Sequence, residues 1–364
     1  MKQHLTTSAN QFGFKKKHST DICIMALKET IGYYYSMNTP VFVGFIDIKS
    51  AFDRVSHSKL FLKLIERGVP LYLVLLLHAW YTTQRLYAGW GSAQSEAFGM
   101  SNGIRQGSII SPYLFNVYVD ALKVLLAESK LGCHIGGEPV NNFSYADDLA
   151  IVAPTARALN AMLAICSDFA QNNYIEFSAS KSVVLVIVPP TVSIPIKPNV
   201  YLGNSVLSYV DHFKYLGHII SNDLSDDADS DRERRSLATR GNMLAHRFYF
   251  CSDDVKTTLF RCYCYQVYCC SLWSTYRQST MNRLKVTFNK VMRRIMGLPP
   301  WCSASAMFVQ HRVHSFQEVM RIVTYGLLER VENSENMRIQ TLNGSDASVW
   351  SRIRAAWVER LAIR

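Results

Sequence analysis

The amino-acid sequence predicts an α+β fold followed by an all-helical segment, and three observations carry that reading. Residues 41–48 (VFVGFIDI) form a continuous apolar run ending in Asp47, the mark of a strand buried on both faces. Residues 143–152 (FSYADDLAIV) place two short apolar runs around Asp147 and Asp148, the pattern of a hairpin that lifts both acids onto its turn. Helix-period segments alternate with mostly antiparallel strand patterns up to Ile220, after which strand patterns all but cease.

Taken in order, residues 1–20 are polar and basic, with Lys15, Lys16 and Lys17 in succession. No element there closes on itself, so this stretch reads as the edge of a larger unit. Asp21 can cap a helix to about residue 35 that carries Ile22, Ile24, Met25, Leu27, Ile31 and Tyr35 on or near one face. After the 41–48 strand, Ser56 or Ser58 caps a helix through Arg67, which Gly68 and Pro70 end. A more apolar helix follows to about Tyr81, and residues 85–97 read as a hairpin around 89–92.

In residues 103–116 (GIRQGSIISPYLFN), Gly103 and Gly107 flank Arg105 and Gln106, and Ser111-Pro112 starts a helix through about Ser129. A pliable backbone at a helix start can approach a phosphate or a base, though a plain capped loop shows the same pattern. Gly136 and Gly137 mark a turn before the acid hairpin. A helix from Thr155 to about Asn172 precedes strands at 174–177 and 182–188, with Lys181 entering the second. A proline-rich linker (189–198) leads to strands at 200–207 and 213–220.

A boundary is expected near residue 222, where an acidic run (222–231) reads as a solvated linker. Asp227, Asp229 and Asp231 have the spacing that opens a calcium loop, but its required glycine and terminal acid are missing. Cys262, Cys264, Cys269 and Cys270 do not fit paired zinc-ligand spacing and read as a thiol-rich buried helix. Arg283, Lys285, Lys290, Arg293 and Arg294, set among apolar residues, make a basic amphipathic helix suited to phosphates or to plain solvent.

Charge narrows the partners. The balance of 39 Lys plus Arg against 28 Asp plus Glu gives a net +11, which favours a polyanion, nucleic acid before membrane. Nine cysteines and no apolar leader point to a reducing, intracellular setting, nucleus or cytoplasm, and not to secretion. No apolar run approaches the roughly 18 residues a membrane span needs.

The acids narrow the chemistry. Adjacent carboxylates between apolar runs repel each other, and either solvent or a bound cation must offset them. Mg²⁺ suits, because it takes one or two carboxylates and completes its shell with water and phosphate. A lone Asp-Asp turn is ordinary; Asp47 at the end of a second buried strand makes a shared site the sharper reading. Strands converging with acids at their ends form the clamp used for nucleotidyl transfer, with ions about 4 Å apart.

Several segments, in a fixed order, resemble the reverse transcriptase domain of a non-LTR (LINE-type) retrotransposon. They are QFGFKKKHSTD from Gln11, FIDIKSAFDRV from Phe45, GIRQGSIISPYLFN, YADD at Tyr145, the Lys181 segment and FKYLGHIIS from Phe213. The likeness covers residues 11–220 and, more loosely, the region through Pro300 (RRIMGLPP). It implies a right-hand polymerase: partial fingers at 1–40, a palm with remaining fingers elements and primer grip at 41–221, a helical thumb at 222–300 and a helical C-terminal extension at 301–364.

The resemblance also implies roles. Asp47 and Asp147 would hold two Mg²⁺ ions, or Mn²⁺ in their place, with Asp148 the less direct ligand and the Ile48 carbonyl facing the bound triphosphate. Phe52 would exclude a 2′-hydroxyl, a role that also argues against an RNA-synthesising enzyme. Arg105, Gln106 and Gly107 would meet the incoming nucleotide, and Lys15, Lys16 or Lys17 the triphosphate. Lys181 would donate a proton to pyrophosphate, and Phe213, Tyr215, Leu216 and Gly217 would grip the primer. Asp53 and Arg54 read as a structural charge pair. The implied partners are an RNA template, a DNA primer and dNTPs. The family's segment preceding the QFGF motif is absent, so the chain reads as a fragment of a larger polyprotein or a decayed copy that keeps all three carboxylates; the alternative expectation is a non-catalytic nucleic-acid-binding remnant.

Overall fold

The computed structural model describes residues 2–194, 196–344 and 352–362. Its organising strand is β1 (Val41–Ile46), buried at every position. Four more strands complete its sheet: β2 (Asn142–Tyr145), β3 (Asp148–Ala153), β4 (Val183–Ile187) and β5 (Ser208–Val210), in the order β5-β4-β1-β3-β2. Only the β4–β5 pair is parallel, so the fold is α+β with a mixed, mostly antiparallel sheet.

Side chains alternate across a strand, and both faces of this sheet are covered. Val41, Val43, Phe45, Phe143 and Leu185 pack with Ile24 and Leu27 of α1 (Thr20–Ser36). Phe42, Ile46, Leu149, Ile151 and Val184 face Leu159 and Leu163 of α5 (Ala156–Asn172). That double covering explains why β1 reads as an uninterrupted apolar run. Beside the sheet, α2 (His57–Glu66), α3 (Leu71–Thr83) and α4 (Ser111–Glu128) share a separate core that includes Leu60, Leu77, Phe115 and Tyr118.

Several expectations change. Asp21 is not the cap of α1 but lies in its first turn, where it accepts the Ile22 N–H. Residues 174–177 form no strand: Tyr174 takes φ 53° and Phe177 makes a single bridge to Ile48. The 200–207 stretch shrinks to a small hairpin of Tyr201–Leu202 with Ser205–Val206. The hairpin β6 (His212–Tyr215) and β7 (His218–Ser221) then closes the strand-bearing part.

Beyond it come α6 (Asp227–Arg247), α7 (Asp253–Cys264), α8 (Gln278–Met296), α9 (Ala304–Gln310), α10 (Phe316–Glu332), α11 (Met337–Gly344) and α12 (Arg352–Ala362). The first four, with Phe316, Val319 and Met320 of α10, build a core around Leu237, Phe260, Leu284, Phe288 and Met307. Helices α6 and α8 meet at Gly241, where a Cβ would fall 2.5 Å from Val291 Cγ1. The last three helices return to the sheet, adding Leu327, Val331, Ile339, Leu342, Ile353 and Trp357 to the core that holds α1. Arg330 of α10 also pairs with Asp21 at 2.7 Å.

The acidic run is no solvated linker. Asp226 and Asp229 are 2% and 0% exposed. Asp226 takes Lys28 of α1 at 2.5 Å and the N–H groups of Ser274 and Thr275. Asp229 accepts from Arg232 Nε at 2.7 Å, Trp273 Nε1 at 2.8 Å and the Ile219 N–H at 3.0 Å, and His218 Nδ1 stands 2.8 Å away. Partners from α1, β7 and the α7–α8 connection allow these charges to be buried. The cysteines likewise do not share one helix: Cys262 is exposed and Cys264 buried at the end of α7, while buried Cys269 and Cys270 lie in the turn that follows.

Candidate active site

Strands β2 and β3 are joined by Ala146 and Asp147 alone, with Tyr145 and Asp148 the last residues paired. Asp147 therefore occupies the turn, whereas Asp148 begins β3 and does not share the turn as the sequence pattern suggested. Ala146 takes φ 59°, a left-handed conformation that a residue with a Cβ adopts only under local constraint. In the β1–β3 ladder Ile46 pairs with Leu149, so one further step brings Asp47 opposite Asp148. Asp47 is fixed by its backbone: its N–H donates to Ser182 Oγ at 3.1 Å, and its carbonyl accepts from Ser178 at 2.9 Å.

The three acids repel one another. Loss of water around Asp148, followed by the charges of Asp147 and Asp47, pushes its carboxyl up to about 6, although part of its surface meets solvent. Crowding raises Asp147 as well, and Asp47 adds to the rise, while its own backbone and Lys123 oppose it. Lys123 of α4 is 3% exposed, and its Nζ has no hydrogen-bond partner among the described residues. Burial pulls its pKa down to about 7 against the attraction of Asp120.

Asp47 and Asp148 share one cleft with Lys181, Phe45, Phe213 and Tyr215. Phe45 of β1 stacks on Phe213 with ring centres 4.4 Å apart and lies 5.2 Å from Tyr215, which seats the β6–β7 hairpin beside the acids. Tyr215 Oη donates to the Phe143 carbonyl at 3.3 Å. At the hairpin tip, Leu216 (φ 47°) and Gly217 (φ 87°) make a tight turn. Tyr268 covers it, its Oη 2.6 Å from the Leu216 carbonyl and 2.8 Å from Thr20 Oγ1.

The other predicted residues fall around this cleft unevenly. Ile48 is buried in the core shared with α2–α4, and half-buried Phe52 stacks on Phe115 at 5.1 Å. The Phe52 and Val55 carbonyls accept from Ile104 and Gly103, which ties the 103–107 loop to the segment after β1. Arg105, Gln106 and Gly107 are exposed on that loop. Lys15 turns inward, its Nζ donating to the Thr7 and Ser8 carbonyls, whereas Lys16 and Lys17 are exposed. Asp53 and Arg54 do not pair: Arg54 reaches Glu176 at 2.5 Å, and Asp53 accepts from Gln106 at 3.4 Å. Local pattern assigned no role to Ser182, in the polar run 178–182, to Lys123, a lone charge in the apolar stretch 121–126, or to Tyr268, one of several tyrosines in 263–268.

Among the described residues, no group of three or more His, Cys, Asp and Glu side chains stands close enough to enclose a metal ion. The acids nevertheless suit a hard divalent cation. They offer carboxylate oxygen alone, remain partly open to solvent, and carry a mutual repulsion that a cation relieves.

The chain is similar to several known proteins. A family profile described as "Reverse transcriptase (RNA-dependent DNA polymerase)" matches residues 1–220. The chain is 32% identical over 183 residues to a retrovirus-related Pol polyprotein from the type-1 retrotransposable element R2 of Popillia japonica, a match covering 48% of this chain and 25% of that protein. It is 25% identical over 366 residues to the RNA-directed DNA polymerase from mobile element jockey of Drosophila funebris, covering 94% of this chain and 38% of that protein. It thus spans well under half the length of these curated relatives. Among solved structures, apo telomerase from Candida tropicalis aligns with a TM-score of 0.47 at 11% identity, over 97% of this chain and 55% of that one.

Proposed function

Because the chain belongs to the reverse transcriptase (RNA-dependent DNA polymerase) family, we propose that it extends a DNA primer with dNTPs on an RNA template, as the polymerase domain of a non-LTR retroelement. The observation that supports this best is the single cleft in which Asp47, Asp148, Lys181 and the β6–β7 hairpin meet from separate stretches of the chain. We assign residues 1–40 to partial fingers, 41–221 to a palm with the remaining fingers elements and primer grip, 222–300 to a thumb and 301–364 to a C-terminal extension. No helix among the described residues is long and apolar enough to cross a membrane. Nine unpaired cysteines favour action in the nucleus or cytoplasm.

In this reading Asp47, Asp147 and Asp148 hold divalent cations, Mg²⁺ or Mn²⁺, with the Ile48 carbonyl toward the triphosphate. When bound, such ions lower the pKa of the primer 3′-hydroxyl and neutralise phosphate charge. The protein supplies position and exclusion. Phe52, braced by Phe115, walls the sugar's 2′ side. Arg105, Gln106 and Gly107 meet the nucleotide from a loop tied to that wall, and Lys16 and Lys17 offer charge to its phosphates. Phe213, Tyr215, Leu216 and Gly217 hold the primer end. Lys181, exposed on the cleft, gives a proton to the departing pyrophosphate.

RNA-templated primer extension tests the proposal. Asp147→Asn should abolish product while primer–template affinity stays within a few-fold of wild type. Equal extension by both proteins would reject the role given to that acid.

A further inference from the structure

We infer that Gln11 is a positioning residue that sets the conformation of the Asp147 turn; its catalytic consequence rests on the polymerase reading above. Residues 10–12 run parallel to β2, the outermost strand of the sheet. Gln11 bridges Ser144, the Phe12 N–H donates to the Ser144 carbonyl at 2.8 Å, and the Ser144 N–H donates to the Asn10 carbonyl at 2.9 Å. This added edge carries the Gln11 side chain to Ala146. The side chain is fully buried. Its Oε1 accepts from the Ala146 N–H at 3.0 Å and the Gly13 N–H at 2.8 Å, while its Nε2 donates to the Ala146 carbonyl at 3.3 Å.

One amide therefore satisfies both backbone groups of the left-handed residue immediately before Asp147. A carboxamide donates and accepts in one plane without charge, and asparagine is one carbon shorter. A carboxylate at position 11 would add another negative charge beside acids that already repel. The next residues fit the same purpose. At Gly13 a Cβ would fall 2.5 Å from the Ala146 nitrogen, so the segment lies flat on the turn only because the residue is glycine. Asn116 of α4 donates to the Gly13 carbonyl at 2.9 Å.

The clamp is anchored from the far end of the chain. Arg338 Nε of α11 donates to Asn10 Oδ1 at 2.7 Å, and Asn336 Nδ2 donates to the Ala9 carbonyl at 2.8 Å. The C-terminal helices thereby hold the strand that holds the turn, and Asp147 inherits its placement from both.

Two readouts test this on the full chain. Hydrogen–deuterium exchange of a peptide spanning 143–152 should show the Ala146 amide exchanging at least tenfold faster in Gln11→Met than in wild type, with residues 156–172 unchanged. Primer extension by the same variant should show kcat lowered at least tenfold, KM for dNTP changed less than threefold, and the Mg²⁺ concentration for half-maximal rate raised several-fold. Should Gln11→Met fail to fold, Asn10→Ala, which cuts the Arg338 tie and leaves Gln11 in place, should shift both readouts in the same direction by a smaller factor. Unchanged exchange at Ala146 in a folded variant overturns the clamp. Faster exchange with unchanged kcat and Mg²⁺ response overturns its catalytic part. A wild-type chain without product would instead count against the polymerase reading, and exchange would still decide the clamp.

Discussion

Replacing Asp229 with alanine should cost about 3–5 kcal/mol of folding free energy, the usual range when one member of a buried ion pair is removed. The carboxylate is wholly buried and accepts from Arg232, Trp273 and the Ile219 N–H, with His218 in contact. Alanine strands these donors in a dry site. Arg232 still has Glu233 at 3.1 Å, which places the loss toward the lower end of the range. Asparagine keeps the shape and one acceptor but turns an amide N–H₂ toward other donors, so a loss of about 1–3 kcal/mol is expected. Equilibrium urea unfolding followed by tryptophan fluorescence measures both, since Trp273 is in the network. With a slope of about 3 kcal/mol per molar, the alanine midpoint should fall by roughly 1–1.5 M. A fall of less than about 0.3 M would refute the reasoning. Acid adds a second check. Burial alone would raise the Asp229 pKa, but His218 and then Arg232 outweigh it and hold the carboxyl below the ordinary range. A depressed folded-state pKa contributes stability that is whole above the unfolded value of about 3.9 and is lost as pH falls toward the folded value. Wild type should therefore lose stability more steeply than Asp229→Asn below about pH 4.

Phe52→Val opens the sugar wall and should raise ribonucleotide incorporation relative to dNTP at least tenfold in a competition assay; an unchanged ratio would remove the exclusion role. Gly241→Ala drives a methyl into Val291 and should cost about 1–3 kcal/mol in thermal unfolding, with Val291→Ala in the same chain recovering part of it. A melting temperature unaffected by Gly241→Ala would mean that α6 and α8 do not approach so closely.

The local patterns were legible because they follow from periodicity and turn chemistry. An unbroken apolar run meant that β1 is covered on both faces, and acids between two short runs meant a hairpin. The same grammar misplaced what depends on distant partners. Residues 222–231 look solvated until Lys28, His218 and Trp273 arrive to satisfy Asp226 and Asp229. Lys15 looks like one of three equal basic side chains until the Thr7 and Ser8 carbonyls engage it. Asp53 and Arg54 are neighbours in sequence, yet each finds its partner on another segment.

The sequence by itself determined which residue types the chain brings to its centre: carboxylates at strand ends, a glycine-bounded loop and a basic excess, all set by short-range rules of spacing. Only the tertiary structure decided that Asp148 lies across from Asp47 while Asp147 occupies the turn, and that Gln11 holds that turn. The reason is register and long-range closure. Strand pairing fixes neighbours that no local pattern encodes, and the energy of a buried polar group depends on partners that only the folded chain can bring to it.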